Sequence, residues 1–186
     1  MKTAILTGAS SGLGIQFARQ LKRVFPEVEE LWLIARRQDR LEALAAELTD
    51  LKTVVLPLDL CREESFTALR EKLAAEQPEG VLLLNNAGCG YLGNVGDGPL
   101  ARQTTMIDLN VRALTAITHL VLPYMKAGAH ILNTSSIASF CANAKLNTYS
   151  ATKAYVSAYT IGAAEELKAK GITVTRTGQR AFGRAV

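Results

Sequence analysis

A doubly wound α/β fold, a parallel sheet with helices on both faces, is predicted by two features of this 186-residue sequence. Short apolar runs alternate with amphipathic helical patterns along nearly the whole chain, which makes βαβ units joined by right-handed crossovers. Runs such as Val81–Leu84 are apolar at every position, as strands covered on both faces are. The length is that of one ordinary domain. Hydrophobic residues at 48% and charged residues at 20% are normal for a packed core, so disordered and fibrous classes drop out.

Each element has its own signal. Lys2–Thr7 reads as a buried strand. From Gly12 to Phe25 a helix carries Phe17, Leu21, Val24 and Phe25 on one stripe and stops before Pro26. Glu30–Ala35 is the second strand, and Asp39–Leu48 a helix with Leu41, Leu44, Ala45 and Leu48 on one face. Leu51–Leu56 forms a third strand closed by Pro57, followed by a helix over Arg62–Glu76 and a strand over Val81–Asn86. After a Gly-rich loop, one long helix is expected from Leu100 to Met125, then a strand over Ala129–Ser135. A helix over Thr148–Lys170 and the start of a sixth strand at Ile172–Thr175 complete the pattern.

Charge and cysteine usage exclude several function classes. The formal charge of +4 is concentrated in residues 168–186, where Lys168, Lys170, Arg176, Arg180 and Arg184 stand without an acid. The first 167 residues hold 16 basic and 17 acidic groups, so there is no basic face for nucleic acid. The apolar runs are far shorter than the ~20 residues of a membrane span, and no signal peptide is readable, which makes the cytoplasm the expected location. Cys61, Cys89 and Cys141 lie 28 and 52 residues apart, a spacing of neither a zinc knuckle nor a redox pair. His119 and His130 have no ligand partner at useful spacing, so no metal is expected.

The first strand–helix junction reads Thr7-Gly8-Ala9-Ser10-Ser11-Gly12-Leu13-Gly14. Glycines there allow a sharp turn and close approach of a pyrophosphate to the N–H groups and dipole of a helix N-terminus. An ordinary Gly-rich turn would use the same residues. At the end of the second strand stand Arg36 and Arg37, where an acid would grip the ribose 2′-hydroxyl of NAD. A guanidinium suits a 2′-phosphate instead, which favours NADP over NAD, although an Arg pair also opens many surface helices. Asn85-Asn86-Ala87-Gly88 closes the fourth strand at the carboxyl edge of the sheet, the edge where open α/β sheets bind ligands.

Tyr149 and Lys153 are four residues apart at the start of a helix and share its face. A free phenol, with a pKa of ~10, is a weak acid–base catalyst near neutrality, and a nearby ammonium lowers that value. Ser136, thirteen residues earlier and just past the fifth strand, can hydrogen-bond a carbonyl oxygen as charge develops on it. A loop serine that caps backbone would look the same.

With Thr-Gly-x3-Gly-x-Gly at Thr7–Gly14, Asn-Asn-Ala-Gly at Asn85–Gly88, a helical Asn110, Ser136 and Tyr149-x3-Lys153, the chain resembles the short-chain dehydrogenase/reductase family over roughly residues 2–175. The resemblance implies a Rossmann-like fold and hydride transfer between NAD(P)H and a carbonyl or secondary alcohol. It implies that Tyr149 is the general acid/base, that Ser136 positions the carbonyl, and that Lys153 lowers the tyrosine pKa and holds the nicotinamide ribose. Asn110, 25 residues after Asn85, would anchor a proton-relaying water. Asp59 and Leu60 would lie against the adenine, and a homo-oligomer would form through the two long helices.

The chain departs from the family pattern at its end. The Pro-Gly turn, substrate loop, last helix and last strand expected after the sixth strand are absent, and residues 176–186 read as a basic tail with neither strand nor helix periodicity. A C-terminal truncation is the expected cause. The alternative to a working oxidoreductase is therefore a non-catalytic dinucleotide-binding or interaction module.

Overall fold

The computed structural model describes residues 1–179. In chain order it has β1 (Lys2–Thr7), α1 (Gly12–Val24), β2 (Glu30–Ala35), α2 (Gln38–Glu47), β3 (Lys52–Pro57), α3 (Glu63–Glu76) and β4 (Glu79–Asn85). Then come α4 (Leu100–Ile107), a π-helical turn (Asp108–Arg112), α5 (Ala113–Val121), β5 (Met125–Ser136), α6 (Asn147–Lys168) and β6 (Thr173–Gln179). The six strands form one parallel sheet in the order β3-β2-β1-β4-β5-β6. The strand order reverses between β1 and β4, and such a switch opens a crevice at the carboxyl ends of the two strands.

Alternation along each strand divides the core in two. Leu6, Leu33 and Leu84 pack under α1 and α2 with Ala18, Leu21, Leu41 and Leu44. On the opposite face Ile5, Trp32, Leu83 and Ile131 pack under α3 and α5 with Phe66, Leu69 and Ile117. This is the doubly wound, Rossmann-like architecture, with β6 the outer strand of the described residues.

Three elements differ from expectation. The buried stripe of α1 is Gly14, Ala18 and Leu21, while Val24 is 58% exposed. Small residues let this helix lie close on the sheet, and closeness rather than bulk decides which face turns inward. The single helix expected over Leu100–Met125 is interrupted by the π turn and ends at Val121, ahead of a 3-10 turn containing Pro123, so that β5 begins at Met125. Proline cannot donate the next helical hydrogen bond. Finally, β6 continues to Gln179, and Arg176, Thr177, Gly178 and Gln179 pair with Asn133, Thr134, Ser135 and Ser136. The boundary placed at Thr175 therefore falls inside a strand, because ladder pairing with β5 extends a strand that side-chain alternation does not mark. The rest of the basic tail, residues 180–186 with Arg180 and Arg184, lies outside the described residues.

Candidate active site

The β1–α1 loop needs its three glycines for different reasons. Gly8 has φ +71°, and a Cβ on it would lie 2.8 Å from the Ala87 Cα. A Cβ on Gly14 would run into the Gly8 carbonyl oxygen. Gly12 has φ +52° and would meet nothing within 4 Å, so its backbone borders open space. The Ser11 side chain makes no capping bond to α1, and although the Gly14 N–H donates to the Ser11 carbonyl, the Gly12 and Leu13 N–H groups are left for an anion. Ser10, Ser11, Arg36, Asp59, Leu60, Ala87 and Gly88 line one cleft over the β1/β4 switch point. A backbone cradle with no room for side chains, an uncapped helix start and a guanidinium at the rim fit the phosphates of a dinucleotide.

Both arginines line the cleft, but only one is tied to the loop. Arg37 donates from Nη2 to both the carbonyl and the Oγ of Ser10, at 3.1 Å each, and so braces the loop. Arg36 is exposed, lines the cleft, and makes no ion pair among the described residues.

Several residues expected to touch the cofactor are instead buried braces. Thr7 is 1% exposed. Its hydroxyl donates to the Leu84 carbonyl at 3.3 Å and accepts the Asn86 and Ala87 N–H groups at 3.0 Å, tying β1 to the end of β4. Asn85 is 3% exposed and donates to Thr118 Oγ1 and Asn133 Oδ1, both at 2.9 Å, on the α5 side of the sheet. Gly14 is buried under the loop, and Leu13 lines an apolar groove with Phe17 and Leu132. Sequence position cannot separate these from Ser10 or Gly88, because strand alternation is local but which face meets the cleft is decided only when the sheet and its helices assemble. Asn86 braces and borders the site together: its Nδ2 donates to the Thr7 and Gly8 carbonyls at 3.2 and 3.3 Å, and it lines the hollow described next.

That hollow shares Gly88 and Cys89 with the cleft and is lined also by Asn86, Thr134, Tyr149 and Lys153. Ser136, fully buried at the end of β5, accepts the Ala138 N–H at 3.2 Å and hydrogen-bonds the Tyr149 phenol. Tyr149 lies in the first turn of α6, with the Lys153 Nζ 5.8 Å from its ring centroid. Lys153 is 5% exposed, and its Nζ donates to the Thr134 carbonyl at 2.7 Å. Nothing in the sequence signals that carbonyl.

The electrostatics differ from the expected ones. Burial pushes the Tyr149 phenol above its ordinary range, and the Ser136 hydrogen bond only partly offsets this. Burial also pulls Lys153 down to about 8. The ammonium was expected to lower the tyrosine pKa. In the folded chain both groups share one poorly solvated hollow, and desolvation acts on each before either acts on the other. A protonated phenol beside a serine hydroxyl can hydrogen-bond a carbonyl oxygen and deliver a proton to it.

The Asn110 side chain is committed to protein partners. It sits in the π turn and binds the backbone of Cys89 through both its oxygen and its nitrogen, at 2.8 and 2.9 Å. Cys61 and Cys89 are half-buried free thiols held above the usual range by burial, which disfavours the thiolate form a nucleophile needs. Among the described residues no three His, Cys, Asp or Glu side chains group as a metal site.

The family model for short chain dehydrogenases matches residues 2–178. The chain belongs to that family. It is 35% identical over 183 residues to a serine 3-dehydrogenase from Agrobacterium fabrum, a match covering 93% of this chain and 69% of that one. To an uncharacterized oxidoreductase from Staphylococcus saprophyticus it is 33% identical over 179 residues, covering 94% of this chain and 75% of the other. Among solved structures, the short-chain dehydrogenase from Sphingobium yanoikuyae in complex with NADPH superposes with a TM-score of 0.86 at 32% identity, covering 97% of this chain and 72% of that one. A metagenomic short-chain oxidoreductase in complex with NADP gives a TM-score of 0.84 at 27% identity, over 95% of this chain and 81% of that one. The chain is thus an oxidoreductase of the short-chain dehydrogenase family. It spans roughly seven- to eight-tenths of these relatives' length.

Proposed function

We propose that this protein transfers hydride between NADPH and a carbonyl or secondary alcohol, with Tyr149 as the general acid/base. The observation that carries this reading is Tyr149, hydrogen-bonded to the buried Ser136 and beside Lys153, in a hollow that shares Gly88 and Cys89 with the cleft over the switch point. The β1–α1 loop backbone would hold the pyrophosphate, Asp59 and Leu60 the adenine end, and Ala87 and Gly88 the middle of the dinucleotide. Bound there, the nicotinamide supplies or takes up the hydride. Ser136 orients the carbonyl oxygen, and Tyr149 hands its proton to that oxygen as negative charge develops. Lys153 orients the ribose and neighbours the phenol. Its Thr134 bond keeps the ammonium aimed while it is charged.

Arg36 supports NADP over NAD, being a guanidinium at the cleft rim with no carboxylate partner among the described residues. The two structure neighbours named above hold NADPH and NADP in their own sites. Titrating NADPH and NADH against the protein fluorescence, then following nucleotide oxidation with small ketones and aldehydes, tests the proposal. Turnover that disappears in Tyr149→Phe supports it. Binding without Tyr149-dependent turnover would replace it with a nucleotide-binding module, and failure to bind either nucleotide would refute both.

A further inference from the structure

Thr152 stands between Tyr149 and Lys153 and is 3% exposed. Its hydroxyl donates to the Tyr149 carbonyl at 2.7 Å, a local bond that threonines in helices commonly make. The same oxygen also accepts a hydrogen bond from Asn110 Nδ2 at 3.0 Å. Asn110 has two amide protons, and the other goes to the Cys89 carbonyl, while its Oδ1 takes the Cys89 N–H. The direction of the chain is therefore set at every link. Asn110 grips Cys89 on both sides and donates to Thr152, whose single proton goes on to Tyr149.

These bonds join pieces of chain that no backbone ladder connects: the loop after β4, the π turn, and the first turns of α6. The same turns of α6 are also held by β5, through Ser135 Oγ donating to the Lys153 carbonyl at 3.2 Å and Lys153 Nζ donating to the Thr134 carbonyl. The loop is in close contact as well, since a Cβ on Gly88 would lie 3.1 Å from Asn110 Oδ1 and 3.6 Å from Lys153 Nζ.

We infer that Thr152 is a positioning residue whose hydroxyl, by relaying Asn110 to the Tyr149 carbonyl, sets the Tyr149–Lys153 turn against the Gly88–Cys89 loop. The inference rests on the acid/base reading of Tyr149. Valine at this position matches the shape of threonine but leaves one Asn110 N–H buried without an acceptor, and the amide loses its fixed orientation. Serine keeps the relay.

The test compares Thr152→Val and Thr152→Ser, with Thr152→Ala in reserve should the valine variant not fold. Amide hydrogen exchange of Cys89 needs neither nucleotide nor substrate. It should quicken about tenfold or more in Thr152→Val while amides of β1 and β4 keep their rates, and Thr152→Ser should resemble the parent. In turnover with NADPH, kcat should fall about tenfold in Thr152→Val with the KM for NADPH unchanged within about twofold, and serine should restore it. Parent-like exchange and turnover in the valine variant would overturn the inference. So would equal losses in valine and serine variants, which would show that packing and not the hydroxyl matters. If the parent reduces no carbonyl, the proposed activity fails, while the exchange comparison still decides whether Thr152 couples helix and loop.

Discussion

Tyr149 and Lys153 meet opposite demands. Burial keeps the phenol protonated through neutral pH, which suits carbonyl reduction, while it draws the lysine down to about 8. Reduction is therefore expected to be level between about pH 6 and 7 and to decline through the lysine's titration near 8, as read from the pH dependence of NADPH oxidation. Tyr149→Phe should lower turnover at least a hundredfold, within the range of about 10²–10⁴ for a lost general acid, and leave NADPH binding intact. The same lysine burdens stability. Its folded pKa lies below its unfolded value of 10.5, so between about 8 and 10.5 the unfolded chain binds more protons and stability rises with pH. The shift corresponds to an unfavourable contribution of about 3 kcal/mol below pH 8, part of which the Thr134 hydrogen bond returns. Lys153→Met should consequently melt higher at pH 7, lose that advantage by pH 10, and be inactive. Thermal melts at the two pH values check the sign.

At the scale of elements, the loop after β1 separates what packing requires from what a ligand requires. Gly14→Ala places a methyl against the Gly8 carbonyl oxygen and should cost about 1–3 kcal/mol, read as a lower midpoint in urea. Gly12→Ala meets no atom but forces an alanine to φ +52°, at about 1–2 kcal/mol. Because its backbone borders open space, Gly12→Ala should weaken NADPH binding by more than its stability loss accounts for. Equal affinity in the two variants would show that the loop does not hold phosphate. The π turn is a second such element. It lies in the middle of what reads as one continuous amphipathic helix and places the Asn110 amide against Cys89 and Thr152.

For the whole molecule, a ligand that binds only the folded chain must stabilise it. NADPH at about a hundred times its Kd should add about 2.7 kcal/mol, or roughly 5–10 °C in Tm, and NADH at equal concentration should add less. Arg36→Ala should narrow that difference, whereas Arg37→Ala, which unbraces Ser10, should weaken both nucleotides alike. A homo-oligomer through α5 and α6 is proposed in the same spirit. Ile161 is 60% exposed and Tyr155 37% exposed, and Phe66, Ala116, Leu120 and Tyr155 line a groove of about 520 Å³. Ile161→Asp should then shift sedimentation toward a monomer. A parent that already sediments as a monomer would sink the proposal.

Much of the fold is legible in the sequence. Unbroken apolar runs alternating with helical patterns sufficed for the doubly wound sheet, since strand and helix periods are local properties. Spacing along a strand or helix fixes which side chains can share a face, so the Gly-rich junction, the Arg pair and Tyr149-x3-Lys153 could be picked out as candidates. The chemistry proposed for them rested on the family resemblance. Other features depended on partners distant in sequence. Thr7 and Asn85 became braces because their hydroxyl and amide met Leu84, Thr118 and Asn133 across strands. Arg37 turned to Ser10, while Arg36 beside it in the cleft makes no ion pair among the described residues. The upward shift of Tyr149 and the Asn110–Thr152 relay likewise came from burial and from contacts closed only by the fold. Sequence alone determined the fold class and pointed to candidate reactive groups. Tertiary structure decided which polar side chains line the cleft, which are consumed inside, and which way their pKa values shift, since desolvation and hydrogen-bond pairing are set by neighbours that the chain brings together only on folding.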